Sequence, residues 1–256
     1  MARARRLRIK SMACKGAYVK QGLARTATGA AFGLFCSASS ALPVQADPRD
    51  PFESFNRSIY SFNDSLDRAL IRPVATAYIK VTPHWMRKGV TNFFGNIGDV
   101  WYALNNAITL NRQATGDSVG RVMVNSTIGL LGLMDVASDM NIEKHPADFG
   151  LTLGRWGVSP GPYVVVPVLG PYTMRELVAW PVDYQGNLVS CVQDVPTRDA
   201  LTLLSGLDLR ASYLKAGEVI DGAALDAYSF TRDSYFQRQR YRLYDGEEPE
   251  SSEPAP

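Results

Sequence analysis

The 256-residue sequence holds little with which to do covalent chemistry. Its histidines are two, His84 and His145, and its cysteines three, Cys14, Cys36 and Cys191. Separated histidines and no C-x-x-C pair exclude a metal cluster or a redox dithiol. Long apolar runs are missing as well. After residue 46 the longest candidate is Ile-Gly-Leu-Leu-Gly-Leu-Met at 128–134, far short of the ~20 residues of a spanning helix. Residues 1–46 contain no Asp or Glu but eight of the 27 Lys/Arg, which leaves 19 basic against 25 acidic residues in the remainder. A net charge of −6 there gives no surface for nucleic acid.

The basic, apolar beginning reads as an export signal over 1–46. Arg3, Arg5, Arg6, Arg8 and Lys10 precede Gly-Ala-Ala-Phe-Gly-Leu-Phe-Cys, and Val44 and Ala46 occupy the −3 and −1 positions of a signal-peptidase site. Translation can start at Met1 or at Met12. Cys36 follows Phe35 rather than a small residue, so the expectation is cleavage after Ala46 without lipidation. Residues 47–245 form one domain by this reading, and 246–256, rich in Glu, Ser and Pro, read as a disordered acidic tail.

Between these ends the sequence reads as helix after helix. Asp50, Pro51 and Glu53 suggest an N-cap, an N1 proline and a capping box for a helix over about 51–70 that stops before Pro73. Phe52, Phe55, Ile59, Phe62 and Leu66 form its apolar stripe, bordered by Asn56 and Asn63 and by a row of Ser54, Ser58, Ser61 and Ser65. Further helices are expected over about 84–110, 114–127 and from 174 onward, the last over about 221–244 with a basic face of Arg232, Arg238, Arg240 and Arg242. Residues 150–173, dense in Gly and Pro, read as an extended crossing segment whose prolines argue against a central strand.

Enzyme motifs fail on inspection. Gly157-Val158-Ser159-Pro160-Gly161 matches a nucleophile elbow, but Pro160 has no N–H for an oxyanion hole, and both histidines precede Ser159. Asp148-Phe149-Gly150 lacks the phosphate loop of a kinase, and His145 beside Glu143 and Asp148 reads as a solvated loop. Sequons at Asn56, Asn63 and Asn125 fall within expected helices, a poor setting for glycosylation. No catalytic residue, metal site or cofactor is expected. Trp85, Trp101, Trp156 and Trp180 suit a membrane-interface belt or a core equally well. Gly129 and Gly132 either let helices approach closely or make 128–134 a pliable apolar loop.

The ordered set Asp-Pro-Phe-Glu-Ser-Phe-Asn-Arg-Ser-Ile-Tyr-Ser-Phe-Asn (50–63), Leu-Ile-Arg-Pro-Val-Ala-Thr-Ala-Tyr (70–78), Asn-Phe-Phe-Gly-Asn-Ile-Gly-Asp-Val (92–100), Val-Asn-Ser-Thr-Ile-Gly-Leu-Leu-Gly-Leu-Met-Asp-Val-Ala-Ser (124–138), the stretches 148–158 and 161–176, and 233–246 resembles the VacJ/MlaA family of Gram-negative outer-membrane proteins. The resemblance covers about 50–245. It implies an all-α, ring-shaped, single-domain protein of amphipathic helices in the inner leaflet of the outer membrane, with a central amphipathic channel. It also implies passage of outer-leaflet phospholipid to a periplasmic carrier of the Mla type, which returns it to an inner-membrane transporter, association with a trimeric porin, and no covalent chemistry. Such proteins are typically lipoproteins, and this sequence departs from them in lacking a convincing lipobox at Cys36.

On that reading Arg57, Asn63 and Arg155 are candidates for a head-group path, and Phe62 and Asn63 for the boundary between lipid and channel. The Ser54–Ser65 row would admit a neighbouring helix. Gly129, Leu130, Leu131, Gly132, Leu133 and Met134 form the candidate gate, which Gly132→Pro is expected to stiffen without unfolding. A soluble periplasmic lipid carrier and a phospholipid hydrolase remain the alternatives. Preferred lipid, driving force, direction and porin are not encoded in any motif here.

Overall fold

A computed structural model of the protein describes residues 47–244 and Gly246. The expected leader with Cys14 and Cys36, and the acidic tail beyond Gly246, lie outside the described residues. No second compact unit divides the described residues. Helices dominate: α1 (Glu53–Leu66), a π-turn (Asp67–Ile71), α2 (Arg72–Val81), α3 (His84–Ile108), α4 (Arg112–Thr127), α5 (Val136–Asp139) and α6 (Phe149–Arg155). A hairpin of β1 (Tyr163–Val166) and β2 (Gly170–Thr173) leads into α7 (Met174–Gly186), a 3-10 turn (Leu188–Cys191), α8 (Val195–Ala223) and α9 (Ala227–Leu243).

Three local expectations need correction. Asp50 is not the cap of α1: the helix begins at Glu53 with Phe52 at the N-cap and no side-chain cap. The Asp50 carboxylate is instead buried and accepts from Asn56 Nδ2 at 2.8 Å and from the Tyr228 hydroxyl. Nor does Pro73 end a helix. The π-turn just before it shifts the bonding to i→i−5, with Arg72 N reaching Asp67 O, so the chain passes through Pro73 into α2. Arg210 of α8 fixes that turn with two hydrogen bonds of 2.6 Å to Asp67.

The third correction concerns 150–173, which is α6 followed by the antiparallel hairpin, paired Tyr163↔Thr173 to Val166↔Gly170. Pro167 and Pro171 are tolerated because a two-stranded ribbon has only edges. The outer edge of β1 is covered by α1. Asn56 donates to Tyr163 O at 3.0 Å and accepts from Val165 N at 2.9 Å, while Asn63 donates to Val166 O at 3.0 Å and accepts from Val168 N at 2.8 Å. The spacing is physical: seven helical residues rise ~10.5 Å, close to the ~10 Å spanned by the three strand residues between those two amides.

Burial runs against the pattern of a water-soluble core. Among the described residues 13 hydrophobic side chains are buried, six of them alanine, against 15 polar or charged ones. Meanwhile Phe52, Phe55, Phe62, Leu70, Val74 and Val81 along α1 and α2 are exposed, as are Trp85, Trp156 and Trp180. Only Trp101 of the four tryptophans turns inward, donating to Asp183 at 2.8 Å. A lone exposed apolar residue needs no explanation, but an apolar exterior around a hydrogen-bonded interior does. No helix among the described residues is long and apolar enough to cross a membrane.

Candidate functional site

Helix α3 carries polar residues on two sides, and the two are treated differently. Toward α4 run Asn96, Asp99 and Asn106, facing Ser118, Arg121 and Asn125, all buried. Arg121 is the hub: it meets Asp99 at 3.2 Å and Asp135 at 2.8 Å and donates to Ile142 O at 2.7 Å. Lys144 completes Asp99 at 3.2 Å. Burial pushes the Asp99 carboxyl up against the pull of Lys144 and Arg121. Burial acts the same way on Asp135, but hydrogen bonds from Ser138, Asn125 and Arg121 outweigh it and hold that carboxyl at about 2. Every charge on this side has a partner.

Toward α8 the same helix borders two cavities in succession. Near its start lies a cavity of about 660 Å³ lined by His84, Arg87, Lys88, Thr91 and Asn92, and across from them by Lys215 and Leu214. Farther along lies a second of about 260 Å³, walled by Phe94, Ile97, Trp101 and Tyr102 against Thr202 and Ser205. Residue numbers rise along α3 as they fall along α8, so both cavities belong to one antiparallel seam. It is basic at one end and aromatic at the other. Arg87, Lys88 and Lys215 carry no ion pair among the described residues, and Arg87 Nε is buried without a hydrogen-bond partner. The one carboxylate in the basic cavity, Asp208, is already bonded by Thr91 at 2.6 Å and Tyr78 at 3.1 Å. The start of α3 adds the partial positive charge of a helix N-terminus. Such a seam offers cationic donors at one end and, at the other, an aromatic wall set against Asp183, Asn187 and two hydroxyls.

The residues expected from sequence sit as follows. Arg57 is committed elsewhere, bonded to Glu53 at 2.8 Å and Asp226 at 2.7 Å and stacked over Tyr228 at 4.4 Å. Asn63, as shown above, is spent on the β1 backbone, so the polar border of α1 holds the hairpin. Phe62 is 53% exposed on α1, away from the seam. Arg155 lines a separate polar cavity of about 500 Å³ with Asn106, Lys144, His145 and Arg242. His145 is not solvated but held by Asp117 at 2.9 Å. Arg232, assigned to a basic face of the last helix, is buried among Asp47, Asp50 and Asp233. The Ser row is exposed, and Ser58 and Ser65 bond back to the carbonyls of Ser54 and Ser61 rather than receiving a neighbour. Asn56 and Asn125, two of the sequon residues, are buried.

The stretch 129–134 does reach the seam. It is a tight turn and not a slack loop: Gly132 N donates to Asn125 O at 2.8 Å and Met134 N to Gly129 O at 2.9 Å. Leu130 and Leu131 hold positive φ of 53° and 59°, each exposed, and Gly132 follows at 88°. Two successive left-handed leucines store roughly 1–2 kcal/mol apiece. Asn92, a lining residue of the basic cavity, donates to Leu133 O at 3.1 Å and so ties the turn to its rim. Gly132→Pro would remove a bonded N–H and demand a negative φ, so the expectation that it spares the fold is corrected.

Sequence reasoning passed over Arg87, Lys88 and Lys215, which look like the solvated faces of ordinary helices. Only Arg87 and Lys88 hinted otherwise, by lacking acidic partners at helical spacing, whereas Lys215 has Glu218 three residues on.

Comparison with known proteins gives a consistent set of likenesses. The MlaA lipoprotein family matches residues 48–242. The intermembrane phospholipid transport system lipoprotein MlaA of Escherichia coli K12 is 31% identical over 245 residues, covering 90% of this chain and 91% of its own. Its Haemophilus influenzae counterpart is 28% identical, over 86% and 90% of the two chains, and an uncharacterized protein of Rickettsia bellii is 33% identical over 73% and 74%. A solved structure, described as the structural basis for maintenance of bacterial outer membrane lipid asymmetry, superposes with a TM-score of 0.67 at 30% identity, over 76% of this chain and 98% of that one.

Proposed function

The chain belongs to the MlaA lipoprotein family, and from that premise we propose that it moves phospholipid out of the outer leaflet of an outer membrane toward a periplasmic carrier, using the α3–α8 seam as part of the channel. The observation that carries this is the unpaired charge of Arg87, Lys88 and Lys215 at one end of a seam whose other end sets Phe94, Ile97 and Trp101 beside Asp183, Asn187, Thr202 and Ser205. A phospholipid has one phosphate and two acyl chains. The basic cavity supplies the phosphate with charge-assisted donors, and Phe94, Ile97 and Trp101 supply the chains with apolar surface.

The exposed aliphatic and aromatic side chains of α1 and α2 support residence in lipid without a spanning helix, as an element lying in the membrane plane. The 129–134 turn is the proposed gate: it is strained, apolar and bonded through Asn92 to the basic cavity. No covalent step is part of this mechanism. A trimeric porin and a periplasmic carrier of the Mla type are the proposed partners. Residues 1–46 serve as export signal, and mass spectrometry of the mature N-terminus decides between cleavage before Asp47 and a lipidated Cys36.

The test uses Gram-negative cells that lack their own family member and accumulate phospholipid in the outer leaflet. The wild-type chain is expected to restore clearance, and Arg87→Glu/Lys215→Glu, present in equal amount, to fail. Full clearance by that variant would remove the seam from the path. A soluble carrier would instead leave the membrane on fractionation, and a hydrolase would release fatty acid from purified phospholipid.

A further inference from the structure

A head group brings more than its phosphate into the basic end of the α3–α8 seam. Ethanolamine and choline head groups add an ammonium, whereas glycerol adds only hydroxyls. The cavity of about 660 Å³ at that end treats the two additions differently. Its wall holds Arg87, Lys88 and Lys215 against one carboxylate, Asp208, an excess of two positive charges with His84 neutral. Lys88 and Lys215 are exposed and form no ion pair among the described residues, so both are open to a ligand.

An ammonium finds no carboxylate there. Asp208 is buried and already accepts from Thr91 at 2.6 Å and from Tyr78 at 3.1 Å. Burial, with Asp208 beside it, pushes the Tyr78 hydroxyl up to about 12, so that donor stays in place at neutral pH. Glu218, three residues beyond Lys215, is exposed and lines neither cavity. Asp183 belongs to the far end of the seam, where it accepts from Trp101 and Phe149. Trp101 stands roughly 15 Å along α3 from Thr91. Hydroxyls, by contrast, have partners. Asn92 gives its Nδ2 to Leu133 O and keeps Oδ1 as an acceptor, and Ser212 Oγ, which donates to Asp208 O, can still accept. Both residues line the cavity.

We propose that the basic cavity selects phospholipids of net negative charge, of phosphatidylglycerol type, over zwitterionic ones. Lys88 and Lys215 repel a head-group ammonium that no carboxylate offsets. This rests on the α3–α8 seam being the lipid path, and it names the class of lipid that path prefers. The discrimination comes from a repulsive element as much as from an attractive one. A like charge set against two exposed lysines costs about 3- to 10-fold in binding, because water screens much of the repulsion.

The full chain, purified in detergent, is offered an equal mixture of phosphatidylglycerol and phosphatidylethanolamine with the same acyl chains. It is then captured and washed, and its bound lipid is counted by mass spectrometry. Wild type is expected to hold phosphatidylglycerol in about 3- to 10-fold excess. Lys88→Gln/Lys215→Gln keeps Arg87 for the phosphate and should bring the ratio close to one with lipid still bound. Ser212→Glu supplies the missing carboxylate and should lower the ratio by admitting phosphatidylethanolamine. Lys80→Gln, at an exposed lysine of α2 outside both cavities, should keep the wild-type ratio. Equal binding of the two lipids by wild type overturns the selectivity and leaves the lipid path standing, whereas binding of neither overturns both. An excess that survives in the double variant, or that Lys80→Gln lowers as much, overturns the assignment to this cavity.

Discussion

Helix α3 presents one polar side to α4 and another to α8, and the two are finished to different degrees. On the α4 side Arg121, Asp99, Asp135 and Lys144 close a network in which each charge is matched. On the α8 side Arg87, Lys88 and Lys215 line a cavity whose one carboxylate, Asp208, is held by Thr91 and Tyr78 and forms no ion pair with them. Matched charges lock two helices together; the unmatched ones are the donors proposed for the phosphate. The distinction separates scaffold from site on a single helix, where residue type alone does not.

Arg121→Met puts most strain on that distinction. It strands Asp99 and Asp135 in the interior, so equilibrium unfolding in detergent should show a loss of about 3–5 kcal/mol. Arg87→Met leaves no carboxylate behind and should cost under ~1 kcal/mol. Comparable losses in the two variants would erase the difference between the sides.

The contact between α1 and the hairpin is of the scaffold kind. Asn56→Ala orphans Val165 N and one Asp50 oxygen, and should destabilise by about 1–3 kcal/mol. Asn63→Ala, less buried, should cost less in the same unfolding measurement. A reversed order would mean that the outer end of the hairpin holds the fold. Gly132→Ala sharpens the boundary between network and gate. Its Cβ would come within 2.7 Å of Asn96 Cβ at a φ of 88°, for a cost of about 1–3 kcal/mol by thermal unfolding.

The smallest effect is in pH. Asp135 falls from its ordinary 3.8 to about 2 in the folded chain. A lowered folded value means stability that is present above the unfolded pKa and disappears as pH falls through the folded one. Acid titration should therefore show a loss between pH ~4 and ~2 that Asp135→Asn makes shallower. An unchanged slope would remove Asp135 from the network.

Much of the helical layout was legible. The apolar 3-4 repeat placed α3 within a few residues, because a long amphipathic helix repeats its signal many times. Two local rules misled. Pro73 reads as a stop, but the π-turn reorganises the bonding that the rule assumes. Asp50-Pro51-x-Glu53 reads as a cap, but Asp50 has a stronger claim from Asn56 and Tyr228, the latter 178 positions away. The site was less legible still. Asn63 and Arg57 look available in sequence because their partners, Val166 and Asp226, lie more than 100 residues on. Arg87 and Lys215 look solvated because a cavity between two helices leaves no pattern in either. The apolar turn at 129–134 stood out, since glycines inside an apolar run are a local signal.

The most direct test places a photo-crosslinking residue at Ser212, in the wall of the basic cavity, and at Gly116 on α4, where open space surrounds the backbone. Each chain is purified from membranes in detergent, irradiated, and examined by mass spectrometry. A phospholipid adduct at Ser212, absent at Gly116 and lost with Arg87→Glu, is the predicted result. Equal labelling at the two positions, or none at Ser212, would contradict the assignment of the α3–α8 seam as the lipid path.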